Sequence, residues 1–143
     1  MSVERILTHK GHDVVTADAS ISLHDVARIL ADKRIGSVVL VSGDRRIKGI
    51  ISERDVVRAC AEHGAKWTDI PVSDVMTRKV HTCQAQDRIE DIMSLMSERR
   101  VRHLPVVDSG KRLVGLVSIG DVVKSRLSMI EQEAQEMLRY ISG

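Results

Sequence analysis

Two short segments combine a hydroxyl, a carboxylate and a predicted helix start: Ser52-Glu53-Arg54-Asp55 and Ser118-Ile119-Gly120-Asp121. Each follows an apolar run, Gly49-Ile50-Ile51 or Gly115-Leu116-Val117, so the serine falls at the helix N-cap. A helix N-terminus exposes unpaired backbone N–H groups, and with a serine hydroxyl beside them it can hold a phosphate. The aspartate one turn in can accept from two vicinal hydroxyls, as a ribose offers. A charged hydrogen bond of that kind contributes about 1.5–3 kcal/mol. The same residues also satisfy a capping box, worth ~1 kcal/mol, with no ligand at all. Arg102-His103, just ahead of the second segment's strand pair, can reach an anion or form a solvated basic rim.

The elements that must position these groups follow from local pattern. Leu104–Val107 and Leu113–Val117 are β-rich and separated by the turn residues Asp108-Ser109-Gly110, which predicts a hairpin leading into the helix that Ser118 caps. The chain contains this arrangement twice, at a constant offset of 66 residues with no gap. Thr16 falls on Thr82, Asp25 on Asp91, Val41 on Val107, Gly49 on Gly115, Ser52 on Ser118 and Asp55-Val56-Val57 on Asp121-Val122-Val123.

Within each unit the predicted order is β-α-β-β-α. A short strand ends near Val14–Thr16, or Val80–Thr82 in the second copy. A helix follows, with Leu23, Val26, Ala27 and Leu30 on one face and Ser22 with Asp25 as its start box. Then come strands Val38–Val41 and Ile47–Ile51, joined by a Ser-Gly-Asp turn, and a helix from Glu53 to about Glu62. Helices cover only one face of so small a sheet, so two units packed sheet to sheet bury what one would leave wet. Val3, Ile6 and Leu7 predict a short N-terminal helix leading to Lys10–His12. Leu127, Ile130, Ala134, Met137 or Leu138, and Ile141 form one stripe of a C-terminal helix, which either caps this chain's core or packs on a partner.

Composition narrows the classes. The 143 residues are 43% apolar and 29% charged with a net charge of +2, which places the chain among globular proteins and argues against nucleic-acid binding. Trp67 and Tyr140 are its only aromatics, so stacking platforms for single strands are missing. Cys60 and Cys83 lack metal-ligand spacing and read as buried thiols of a reducing compartment, and His9 and His12 read as solvated loop residues. No apolar run is long enough to span a membrane and no signal-peptide pattern is present, so a cytoplasmic location is expected. No HExxH, P-loop, GxGxxG or nucleophile–base spacing supports catalysis.

Taken together, the paired units resemble cystathionine β-synthase (CBS) domains, whose tandem pair is called a Bateman module. The resemblance rests on the Ser-x-x-Asp ending present twice, His-Leu-Pro-Val-Val-Asp at residues 103–108 and Asp-Val-Met-Thr at residues 74–77, and it covers roughly residues 7–127. It implies an α+β, pseudo-twofold pair of repeats (7–62 and 77–127), with a linker at 63–76 and a C-terminal helix at 128–143. It also implies two inter-repeat clefts for adenosine ligands: AMP, ADP, ATP, S-adenosylmethionine or a dinucleotide such as NAD(H). A homodimer of pairs follows, signalling to an effector protein without catalysis.

Carried onto this sequence, one cleft is expected to join Ser118 and Asp121 with Lys10 and Val15, Asp121 holding the ribose and Arg102 and His103 meeting a longer phosphate chain. The other is expected to join Ser52 and Asp55 with Thr77, Val80 and His81. There Gly36 and Ser37 replace the Arg102-His103 pair, and Arg54, for which Gly120 stands in the second copy, compensates. The alternative is an interaction scaffold that keeps the fold and binds no nucleotide.

Overall fold

The computed structural model describes residues 1–142. The fold is α+β, and its two repeats are related residue by residue. Ser22 caps α2 (Leu23–Lys33): its Oγ accepts the Asp25 N–H at 3.2 Å while the Asp25 carboxylate accepts the Ser22 N–H. Helix α2 buries Leu23, Val26 and Leu30, the stripe its spacing predicts. Its counterpart α4 (Ile89–Arg99) buries Ile89, Ile92 and Met96, but Arg88 at its N-cap makes no side-chain cap bond. Both helices end on a left-handed residue, Arg34 (φ 54°) and Arg100 (φ 55°).

Strand β1 (Thr16–Ala17) runs parallel to β2 (Ser37–Val41), which pairs antiparallel with β3 (Ile47–Ser52). Strands β4 (His103–Val107) and β5 (Leu113–Ser118) form the second hairpin. The registers repeat: Ser37 faces Ser52 and His103 faces Ser118, and both hairpins shift at equivalent places, Leu40/Val41 and Val106/Val107. Positive φ falls on Arg45 and Lys111, not on Gly43 or Gly110, because each loop is a turn closed by Arg45 N–H to Ser42 O or Lys111 N–H to Asp108 O, whose last residue must be left-handed. The tips of the two hairpins meet: Leu113 N–H bonds Arg45 O at 3.0 Å, and Arg46 bridges Arg112. Arg46 and Arg112 are equivalent positions, so this bridge lies on the pseudo-twofold axis.

The strand expected at Val80–Thr82 does not form. In the first repeat the Val39 N–H bonds Val15 O, but the equivalent position is Pro105, which has no N–H to give. A single parallel bridge between Cys83 and Val106 remains.

Two cores result, and each is completed by the segment preceding the other repeat. Helix α1 (Val3–Lys10) places Val3, Ile6 and Leu7 in the second core with Ile89, Leu104 and Val117. The expected linker folds as short 3-10 turns at Gly64–Asp69 and Val72–Asp74, and sends Val72 and Met76 into the first core with Leu23, Leu40 and Ile51. A Cβ on Gly115 would meet Leu7 at 2.8 Å and one on Gly49 would meet Met76 at 2.5 Å, so Leu7 and Met76 fill equivalent hollows. They stand 69 residues apart, whereas Thr16 and Thr82 stand 66 apart. Three extra residues therefore lie between Leu7 and Thr16, and the gapless register does not extend to the N-terminal segment.

Helix α3 is Glu53–His63, and α5 runs unbroken from Ile119 to Ser142. Val122 is buried, but Leu127, Ile130, Met137, Leu138 and Ile141 are exposed, so the stripe does not cap this chain's own core. Cys83 is buried in the second core, which pushes its thiol up to about 12 and makes it inert, whereas Cys60 is half-buried. No described helix is long and apolar enough to cross a membrane.

Candidate functional site

A cavity of about 460 Å³ opens where the two repeats meet. The start of α3 forms one wall. Ser52 Oγ accepts the Asp55 N–H at 3.3 Å, and Asp55 Oδ2 accepts both the Ser52 N–H (2.9 Å) and hydroxyl (3.0 Å). These bonds fix the Asp55 carboxylate and leave Oδ1 without a bond from Ser52. Gly36, Ser37, Arg54, Thr77, Val80 and His81 also line the cavity. Thr77 is held there by paired bonds with Ile50, N–H to O at 2.9 Å and O from N–H at 3.0 Å.

Three residues expected in the other cleft also face this cavity: Arg102, His103 and Ser118. The start of β4 packs against the residue ahead of β2: the His103 ring lies against Gly36, 3.5 Å from where a Cβ would stand. Burial and the nearby Lys10 charge outweigh Glu53 and Asp121 and lower the His103 pKa, so its imidazole is neutral at pH 7.

Sequence reasoning did not single out Glu53, Arg58, Lys79 and Arg100, which also line the cavity. Arg58 stands one turn along α3 from Arg54 and Asp55, so helical periodicity alone would have placed it on that face. With Arg54 and Arg102, the lining holds five Arg and Lys side chains against the two acids Glu53 and Asp55. Ser37 is 3% exposed, and its buried Oγ has no hydrogen-bond partner. An orphaned buried hydroxyl costs about 1–3 kcal/mol.

The remaining expected residues are placed differently. Val15 packs against the first core and lines neither cavity, because its strand pairing survives where that of His81 is lost. Lys10 and Asp121 are bonded to each other at 2.7 Å. They border a second cavity of about 340 Å³ between α1 and α5, with Arg5, His9 and Lys124. Burial opposes ionisation of Asp121, but the Lys10 ammonium and the Ser118 N–H outweigh it and hold the carboxyl below the usual carboxylate range. His9 lies in α1 rather than in a loop, and His12 is an exposed loop residue whose Nδ1 lies 3.1 Å from Val114 O. Among the described residues no cluster of His, Cys, Asp or Glu is placed to hold a metal ion.

Two related repeats, the second without its first strand, each completed by the segment preceding the other and with a polar cleft between them, define the class: a paired-repeat module. The CBS domain profile matches residues 3–62 and 72–128, and the chain belongs to that family. It is 32% identical over 85% of its length to the mitochondrial CBS domain-containing protein CBSX3 of Arabidopsis thaliana, and it spans 61% of that protein. Among solved structures, a CBS-domain-containing protein from Agrobacterium tumefaciens superposes with a TM-score of 0.84 at 41% identity, covering 88% of this chain and 99% of that one. The CBS domain pair of protein MJ0100, in complex with 5′-methylthioadenosine and S-adenosyl-L-methionine, matches with a TM-score of 0.78 at 29% identity over 89% and 98% of the two chains. A CBS domain protein from Pyrobaculum aerophilum complexed with AMP matches with a TM-score of 0.80 at 26% identity over 94% and 99%.

Proposed function

We propose that this chain is a non-catalytic, cytoplasmic sensor that binds an adenine nucleotide in the Asp55 cleft and passes its occupancy to a partner. The observation that carries the reading is the make-up of that cavity: one fixed carboxylate suited to a ribose diol, with five cationic side chains from both repeats in its lining. The surplus of positive charge favours a phosphorylated ligand (AMP, ADP, ATP or NAD(H)) over the sulfonium S-adenosylmethionine. Ser37 Oγ supplies an unused polar group at the wall. AMP in the Pyrobaculum relative and 5′-methylthioadenosine in MJ0100 support the adenosine part of the proposal.

Because the cavity is lined from both repeats, a ligand there selects one packing of the two halves over another, and its differential affinity shifts their populations. The exposed stripe of α5 gives the change an exit. Val123, Leu127, Ile130, Ala134, Met137 and Ile141 alternate spacings of four and three, the pattern of a coiled-coil seam, so two chains are expected to pair along it.

A scaffold without ligand would keep both capping boxes, but it gives no reason to line a void with unpaired cations and a buried orphan hydroxyl. Isothermal titration of the purified chain with AMP, ATP and S-adenosylmethionine separates the readings. Binding of the phosphorylated nucleotides is expected, with the sulfonium weaker. Absence of heat and of thermal shift with all three overturns the sensor in favour of the scaffold. Light scattering that gives a dimer mass tests the pairing.

A further inference from the structure

The pseudo-symmetry breaks at the second sugar-gripping position. In the first repeat Ile50 has both backbone groups satisfied by Thr77, and Asp55 Oδ2 accepts only from its own Ser52. In the second repeat α1 runs on past Leu7 to Lys10, so no extended segment reaches Leu116, the counterpart of Ile50. Lys10 Nζ takes that role instead, donating to Leu116 O at 3.0 Å and to Asp121 Oδ2 at 2.7 Å. The chain is pinned just beyond it. Gly11, at φ 97°, ends the helix with its N–H on Leu7 O, and His12 Nδ1 lies 3.1 Å from Val114 O. The three extra residues before Thr16 supply the length for this detour.

We infer that Lys10 is a built-in occupant of the Asp121 sugar position, so that the chain takes one nucleotide, at Asp55, and keeps its second cleft shut. The inference rests on the sensor reading above. A ribose diol arriving at Asp121 must displace a charged donor and leave Leu116 O without its partner. By the size of a charge-assisted bond this weakens the second event about 10- to 100-fold relative to an unlatched cleft. The Asp55 carboxylate carries no such competitor. Lys10 thus selects which of two chemically equivalent caps is available, and it sets the stoichiometry.

Isothermal titration of the full chain with AMP tests this, using the wild type, Lys10→Met and Lys10→Gln, the last of which keeps a donor for Leu116 O. One equivalent per wild-type chain and two per Lys10 variant are expected. In an Asp55→Asn background, the tight event should weaken about 10- to 100-fold and be regained, as one equivalent, on adding Lys10→Met. Two equal sites in the wild type, or one site in every Lys10 variant, overturn the latch while leaving the sensor reading intact. Loss of binding on Lys10→Met also overturns the latch, since it makes Lys10 a ligand contact. No binding by any variant overturns the latch and the sensor together. Thermal melts of each variant establish that it is folded.

Discussion

The Ser52–Asp55 and Ser118–Asp121 caps share residue types, the two capping-box bonds and equivalent places on equivalent hairpins, yet have different surroundings. Asp55 faces a cavity lined by both repeats, whereas Asp121 is bonded to Lys10. Duplication reproduced much of the local structure: registers, bulges, left-handed helix ends and left-handed hairpin residues all recur. The differences come from what is brought from outside each hairpin. A short extended lead-in at Thr77 leaves the first cap open, and a helical lead-in with three more residues delivers a cation to the second.

The sharpest way to break this comparison is to remove each carboxylate in turn. Asp55→Ala is expected to weaken AMP binding about 10- to 100-fold, while Asp121→Ala leaves the tight event unchanged. Equal losses by titration would erase the distinction between the halves. Next in size are the two hollows. A Cβ on Gly49 meets Met76 Cγ at 2.8 Å and the Thr77 backbone oxygen at 2.9 Å, whereas one on Gly115 meets only Leu7 methyl carbons closer than 3.4 Å. Gly49→Ala should cost about 1–3 kcal/mol in chemical denaturation and Gly115→Ala less, because a leucine end can turn and a backbone carbonyl cannot.

The third comparison uses His103, which stands where the first repeat has Ser37. Its pKa is lowered in the fold by burial, so between that value and the usual 6.5 the unfolded chain binds more protons. Its contribution is complete above about pH 6.5 and is lost as pH falls through the lowered value. Melting temperature should therefore drop from pH 7 to 5.5, and His103→Gln should flatten that drop. The smallest effect concerns the helix starts. Ser22 completes a box with Asp25, while Arg88 caps nothing although Asp91 stands in the matching place. Arg88→Ser should stabilise the chain by about 0.5–1 kcal/mol in thermal unfolding.

Much of this was legible beforehand because it is local. Helix starts at Ser22, Ser52 and Ser118 follow from side chains bonding backbone within three residues, and the hairpins follow from β-rich runs around turns. The loss of the strand at Val80–Thr82 was also written locally, in Pro105, but only once its partner strand was known. Other features had no local trace. Repeat symmetry places Arg102, His103 and Ser118 in the cleft of their own aspartate, but they line the other, where the His103 ring packs against Gly36.

By itself, then, the amino-acid sequence determined the repeat, the order of elements within it and the two capping boxes, since each depends on interactions a few residues long. The tertiary structure alone decided which core received α1 and the segment at Val72–Met76, and which aspartate at a cavity received a bonded cation. Those outcomes depend on partners far apart in the chain, 111 positions in the Lys10–Asp121 pair, and no periodicity along the chain encodes a meeting of that kind.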